Sequence, residues 1–124
     1  MDYLIVFLGG GIGSTIRHGV NLAGSRWLGT AFPYSTLTVN IVGSLAVGLL
    51  AAYFAFKEEA SQPWRLFFTT GVLGGFTTFS AFSLDVAVLY ERGDLVLATA
   101  YILASVIFSL AGLFAGLYVI RNFA

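Results

Sequence analysis

The sequence predicts an all-α membrane protein with four transmembrane helices, a break in the third, and an antiparallel homodimer as its assembly. Three observations carry that expectation. The 124 residues are 58% hydrophobic and only 10% charged, with a mean hydropathy of +0.90, which is too little polar surface for a soluble domain of this size. The apolar residues fall into four stretches with short connections, each as long as a hydrocarbon core of roughly 30 Å requires. Four spans also divide the cations evenly between the two membrane faces, Lys57, Arg65 and Arg121 against Arg17, Arg26 and Arg92. The positive-inside rule then sets no orientation. Such a chain can insert both ways, and opposed copies can pair about a two-fold axis in the membrane plane. Four thin helices have little interior of their own, so the functional pathways are expected at the subunit contact.

Other functions are excluded early. The chain has no cysteine, so it can form neither a disulfide nor a thiolate metal site. Its formal net charge is zero, and nothing points to nucleic acid. Met1-Asp2-Tyr3 lacks a basic n-region, so the first segment reads as a span and not as a cleaved signal peptide. A single four-helix transmembrane domain over residues 1–124 is expected.

The first helix is expected over about 3–22. Gly9 and Gly13 have the GxxxG spacing that favours close helix packing in lipid. No frame reads GxGxxG, so phosphate binding is set aside. Arg17 either snorkels to the headgroups or helps to attract an anion, and His18 reads as an interfacial polar residue. Asn21 to Pro33 has the composition of an interfacial connection, with Trp27 and Tyr34 as belt residues.

The second helix is expected over 34–56, capped by Ser35 or Thr36. Thr36, Asn40, Gly43 or Ser44, and Gly48 recur at helical spacing and make one face polar or small. Asn40 is the costly member, because a carboxamide without partners in hydrocarbon is unfavourable by several kcal/mol. It is either an interhelical hydrogen bond or a pore-lining donor, and the second reading is favoured.

Lys57 to Pro63 reads as a solvated loop, with Trp64 and Arg65 as interface anchors. The third helix is expected over 64–90, long for one straight span and broken near 74–78 at Gly74-Gly75. The fourth, over 95–120, carries Tyr101, Ser105, Ser109, Gly112 and Gly116 at steps of four, four, three and four. They form a single stripe, the hydroxyls suited to lining and the glycines to packing.

A break in the third helix leaves carbonyls unpaired at the end of one half and amides unpaired at the start of the next. Carbonyl ends attract cations and amide ends attract anions. Two breaks facing each other at the centre of a dimer would form a hard-cation cage, most simply for a structural Na+. After the break, Phe79 and Phe82 share a face and Ser80 and Ser83 share a neighbouring one. Ring edges carry partial positive charge. Together with the Asn40 amide and the hydroxyls they would hold an anion weakly enough to release it, as conduction requires.

Gly74-Gly75-Phe76-Thr77-Thr78-Phe79-Ser80-Ala81-Phe82-Ser83, with Thr36-Leu37-Thr38-Val39-Asn40 and the glycine-rich first segment ending in Arg17, resembles the small fluoride-channel family called Fluc or CrcB across all four segments. The resemblance implies a dual-topology dimer with two fluoride pores and a central structural Na+. By position, Phe79 and Phe82 match the pore phenylalanines, Asn40 the pore asparagine, and Ser105 and Ser109 the polar track of the last helix. Thr36, Ser83 and Tyr101 are further members of the pore set. Gly74 and Thr77 would offer backbone carbonyls to Na+, and Arg17 matches an arginine near the aqueous vestibule. Two positions depart from the usual pattern. Ala81 stands where a threonine often separates the phenylalanines, and Asp85 where a glutamate is usual.

The implied function is passive export of fluoride, which lowers cytoplasmic fluoride and confers resistance: HF crosses membranes neutral, dissociates inside and leaves as F⁻. The implied location is a cell membrane, compatible with a bacterial inner membrane. The alternative is a small proton-coupled multidrug transporter of dual topology. That mechanism needs a titratable group within the membrane, and Asp85 comes closest to one. A packing subunit of a larger assembly would leave Asn40 and the hydroxyls unexplained. No base, nucleophile and orienting group converge, so an enzyme is not expected.

Overall fold

The computed structural model describes residues 1–56 and 62–123. α1 spans Asp2–Trp27, α2 Tyr34–Phe56 and α6 Leu95–Phe123. Between α2 and α6 the third segment is composite. α3 (Gln62–Arg65), a π-helical stretch (Leu66–Leu73) and α4 (Gly74–Phe76) follow one another, Thr77 and Thr78 are extended, and α5 (Phe79–Glu91) completes it. Among the described residues there is no strand. Tyr34–Ala55, Gln62–Glu91 and Leu95–Phe123 are long and apolar enough to cross a membrane, and the chain is a multi-pass membrane protein. α1, at 26 residues or about 39 Å, also has the length to cross. Its glycines, hydroxyls, Arg17 and His18 leave it less apolar than the other three.

Two boundaries differ from the sequence expectation. α1 continues to Trp27, because the small and polar residues that read as a connection form a contact surface. Gly24 lies directly against Ser35, whose hydroxyl donates to the Val20 carbonyl at 3.3 Å. The solvated loop expected over 57–63 lies outside the described residues as far as Ser61, and Gln62 and Pro63 already open α3. Proline is tolerated there because the first helical turn has no intrahelical partner for its missing N–H.

Two tightly packed pairs build the body, α2 on α6 and α1 on the π stretch and α4. Glycine makes both possible. A side chain at Gly116 would meet the backbone of Leu45 and Leu49, and one at Gly48 the backbone of Leu113. On the other side, a Cβ at Gly9 would come within 2.6 Å of the Phe67 carbonyl, and one at Gly13 would overlap the Val72 carbonyl. In lipid, where no hydrophobic force drives helices together, such backbone approach is what dispersion packing requires.

α5 leans on α6 through Leu89, Ala98 and Tyr101, with Phe32, Leu37, Phe82 and Val86 around them. The turn between the two helices is set by Gly93 at φ 82. Its N–H reaches the Tyr90 carbonyl and that of Asp94 the Leu89 carbonyl, both at 3.0 Å, the paired bonds of a Schellman ending.

Candidate functional site

The interruption of the third segment lies at Thr77 (φ −85, ψ 157) and Thr78 (φ −155, ψ 125). The interruption falls within the expected 74–78, but at the two threonines and not at Gly74-Gly75, which are helical. Gly75 is needed for a different reason: a Cβ there would collide with the Gly10 carbonyl of α1. Ser14 of α1 donates to the Gly75 carbonyl at 3.4 Å.

Two side chains take two of the amides that the break sets free. Asn40 Oδ1 accepts from the Thr78 N–H at 2.9 Å. Asn40 Nδ2 donates to the Thr78 carbonyl at 3.1 Å. Thr78 is also the N-cap of α5, its hydroxyl accepting from the Ala81 N–H at 3.1 Å. In an uninterrupted α-helix the Thr78 N–H would bond the Gly74 carbonyl and the Ala81 N–H the Thr77 carbonyl. Gly74 and Thr77, the two residues proposed to face Na+, therefore lose their helical donors. The Thr77 hydroxyl, which donates to Leu73 at 2.9 Å, does not replace either bond.

Beside the break is a cleft of about 400 Å³. It brings together Asn40, Phe79, Phe82, Ser105 and Ser109, with Ser44, Thr77 and Thr78 completing its polar wall. Among the described residues no ionisable side chain lines it. The Ser105 hydroxyl is buried and has no hydrogen-bond partner among the described residues. The Phe79 and Phe82 rings lie 5.4 Å apart at 43°. Phe82 is half-buried against Tyr101, whereas Phe79 is 78% exposed on the surface of the chain.

A second cavity, of about 340 Å³, is lined by Asn21, Thr36, Asp85 and Arg92 among others. Arg92 Nη1 donates to the Thr30 carbonyl at 3.3 Å, tying the first loop to the end of α5. Tyr101, a candidate lining residue, opens into neither cavity but touches one lining residue of each, Phe82 and Asp85. It is fully buried, packs on Phe82 with ring centroids 5.2 Å apart, and donates from its hydroxyl to Asp85 Oδ2 at 3.0 Å.

Besides Tyr101, three candidate residues line neither cavity, Gly74, Ser83 and Arg17. Ser83 spends its hydroxyl on the Phe79 carbonyl of its own helix at 3.1 Å. Arg17 is half-buried with its Nε unpartnered among the described residues. The pairing of Tyr101 with Asp85 and the capping by Thr78 were not expected. The first joins residues sixteen apart on different helices, which no local pattern reveals. The second was legible as a threonine three residues before a helical amide.

An interrupted third segment among helices long and apolar enough to cross a membrane defines a class: a multi-pass membrane protein. The chain belongs to the CrcB family, since the family described as CrcB-like protein, Camphor Resistance (CrcB), matches residues 4–117. It is 57% identical over 122 residues to a Nitrobacter hamburgensis protein named fluoride-specific ion channel FluC 2, covering 98% of each chain. It is 61% identical over 121 residues to a Rhodopseudomonas palustris protein named fluoride-specific ion channel FluC, again covering 98% of each. A Granulibacter bethesdensis protein of the same name is 53% identical over 122 residues, covering 98% of this chain and 96% of its own.

Proposed function

We propose that the protein is a fluoride-selective channel that lets F⁻ leave the cell passively. The observation that carries this is the wall of the cleft at the break, where Asn40, Ser105, Ser109 and the Phe82 ring come together with no ionisable side chain among the described residues. Amide and hydroxyl donors and a ring edge attract a small anion, and without a cation in the wall it is not trapped. The names of the relatives supply fluoride as that anion. The route runs from the cavity at Thr36 and Asp85, past Tyr101, to Ser105, Ser109, Asn40 and the phenylalanines. Ser105→Ala removes one of these donors without adding bulk, so the fold is retained. Fluoride release should fall about tenfold, the effect of one hydrogen bond to a charged group; unchanged release in proteoliposomes would sink the carrying observation.

Each pore is completed by a second, oppositely inserted copy. Phe79, so exposed in a single chain, would then be covered by its partner. The Gly74 and Thr77 carbonyls fit a central Na+, because both have lost their helical donors and a hard cation prefers neutral oxygen. Bound there, the ion would supply positive charge that staples the two breaks together. The location is a bacterial inner membrane. A C-terminal tag reachable from only one side of the membrane would contradict dual insertion. A dimer whose stability ignores prolonged replacement of Na+ by a large organic cation would contradict the staple.

A further inference from the structure

We propose that Asn40 is the positioning residue of the break, holding Thr78 extended and thereby setting the angle at which α5 and its phenylalanines leave α4. The proposal rests on reading the cleft as the anion path, and it assigns Asn40 a task beyond lining it.

Thr78 at φ −155, ψ 125 has the backbone of a strand residue. In that conformation the N–H and C=O of one residue point to the same side, as when paired strand residues exchange both bonds. The Asn40 carboxamide stands where the strand partner would, accepting at 2.9 Å and donating at 3.1 Å. One turn along α2, Gly43 leaves room for the Thr77 methyl, which a Cβ at that position would overlap. Adjacent residues of the break are thus received by two residues of one α2 face.

Three consequences follow from the geometry. Oδ1 and one of the two Nδ2 hydrogens are committed to Thr78, so the carboxamide cannot flip. Only the second hydrogen is left for a solute in the cleft, which Asn40 also lines. By taking the Thr78 N–H, Asn40 also keeps it from the Gly74 carbonyl. One side chain therefore serves the cleft and frees a carbonyl in the preceding half-helix.

Asparagines occur only at positions 21, 40 and 122, so side-chain amide spectra of the ¹⁵N-labelled, full-length protein in micelles can be assigned with few variants. In the wild type the two Asn40 side-chain protons should exchange with solvent at different rates, the one facing Thr78 being protected. Asn40→Ala should speed exchange of the Thr78 backbone amide by roughly ten- to a hundredfold, the loss of two hydrogen bonds. Asn40→Asp, which keeps the acceptor, should retain much of that protection. Amides of α6 opposite Gly48 report whether each variant is folded. Equal, fast exchange of both Asn40 protons, at the rate of a free asparagine side chain in water, would overturn the proposal. So would a Thr78 amide indifferent to Asn40→Ala. If Asn40→Ala does not fold, the wild-type side-chain measurement decides alone. Failure of the anion reading shows separately, as no shift of the second proton on adding sodium fluoride while the exchange pattern stands.

Discussion

Gly13→Val is expected to abolish recovery of folded protein. Its Cβ would occupy the space of the Val72 carbonyl and crowd the Phe76 N–H, both backbone atoms on the segment that leads into the break. Backbone cannot rotate aside as a flexible side chain can, so α1 would have to lift off the π stretch and α4. That separation forfeits the packing at Gly9, Gly71 and Gly75 as well, since all share the seam. A cost of about 3 kcal/mol or more is expected, at or beyond the upper end for overpacking. Gly19→Ala in the same helix meets nothing within 4 Å and should be tolerated. Thermal unfolding in detergent, with yield of monodisperse protein, checks both. A Gly13→Val protein as stable as the parent would mean that α1 does not pack as described.

Phe82→Ile is expected to reduce fluoride release about tenfold or more while leaving the protein folded. Phe82 is half-buried between Phe79 at 5.4 Å and Tyr101 at 5.2 Å. Isoleucine fills much of the volume but has no ring edge, and the positive edge is the part that meets an anion. An aromatic contact worth up to about 1.5 kcal/mol corresponds to a factor near ten in rate or affinity. Phe79→Ile tests the exposed ring, and its stability should change less because that side chain is 78% exposed in the single chain. Normal release from both variants, measured in liposomes at matched protein, would remove the phenylalanines from the path.

Much of the fold was legible in the sequence because hydropathy and small-residue spacing report directly on lipid and on helix contact. The stripe on α6 is the clearest case. Ser105 and Ser109 line the cleft and Gly112 and Gly116 receive the backbone of α2, whereas Tyr101, expected to line with the serines, is fully buried. The end of α1 was misread because Asn21, Gly24 and Ser25 have a loop's composition. Gly24 instead makes room for Ser35 of α2, and Asn21 and Ser25 line the second cavity, which composition alone does not distinguish.

The site was legible by residue type but not by arrangement. Asn40, Phe79, Phe82, Ser105 and Ser109 stand out as polar or aromatic residues in apolar helices, and the fold gathers them in one cleft. The break falls within the expected 74–78, but glycine, the usual reason for irregular backbone, points to the wrong pair inside that range. Here Gly75 is a packing residue, and the irregularity is held by a carboxamide thirty-eight residues away. Tyr101 was read as lining, and its bond to Asp85 was invisible because the partner lies on another helix.

The most direct test is fluoride release from liposomes containing the purified protein, followed with a fluoride electrode, with chloride release recorded in parallel. Fast release selective for fluoride, needing no proton gradient, is the predicted result. No release from well-folded protein, or equal release of chloride, would contradict the reading of the cleft as a fluoride path.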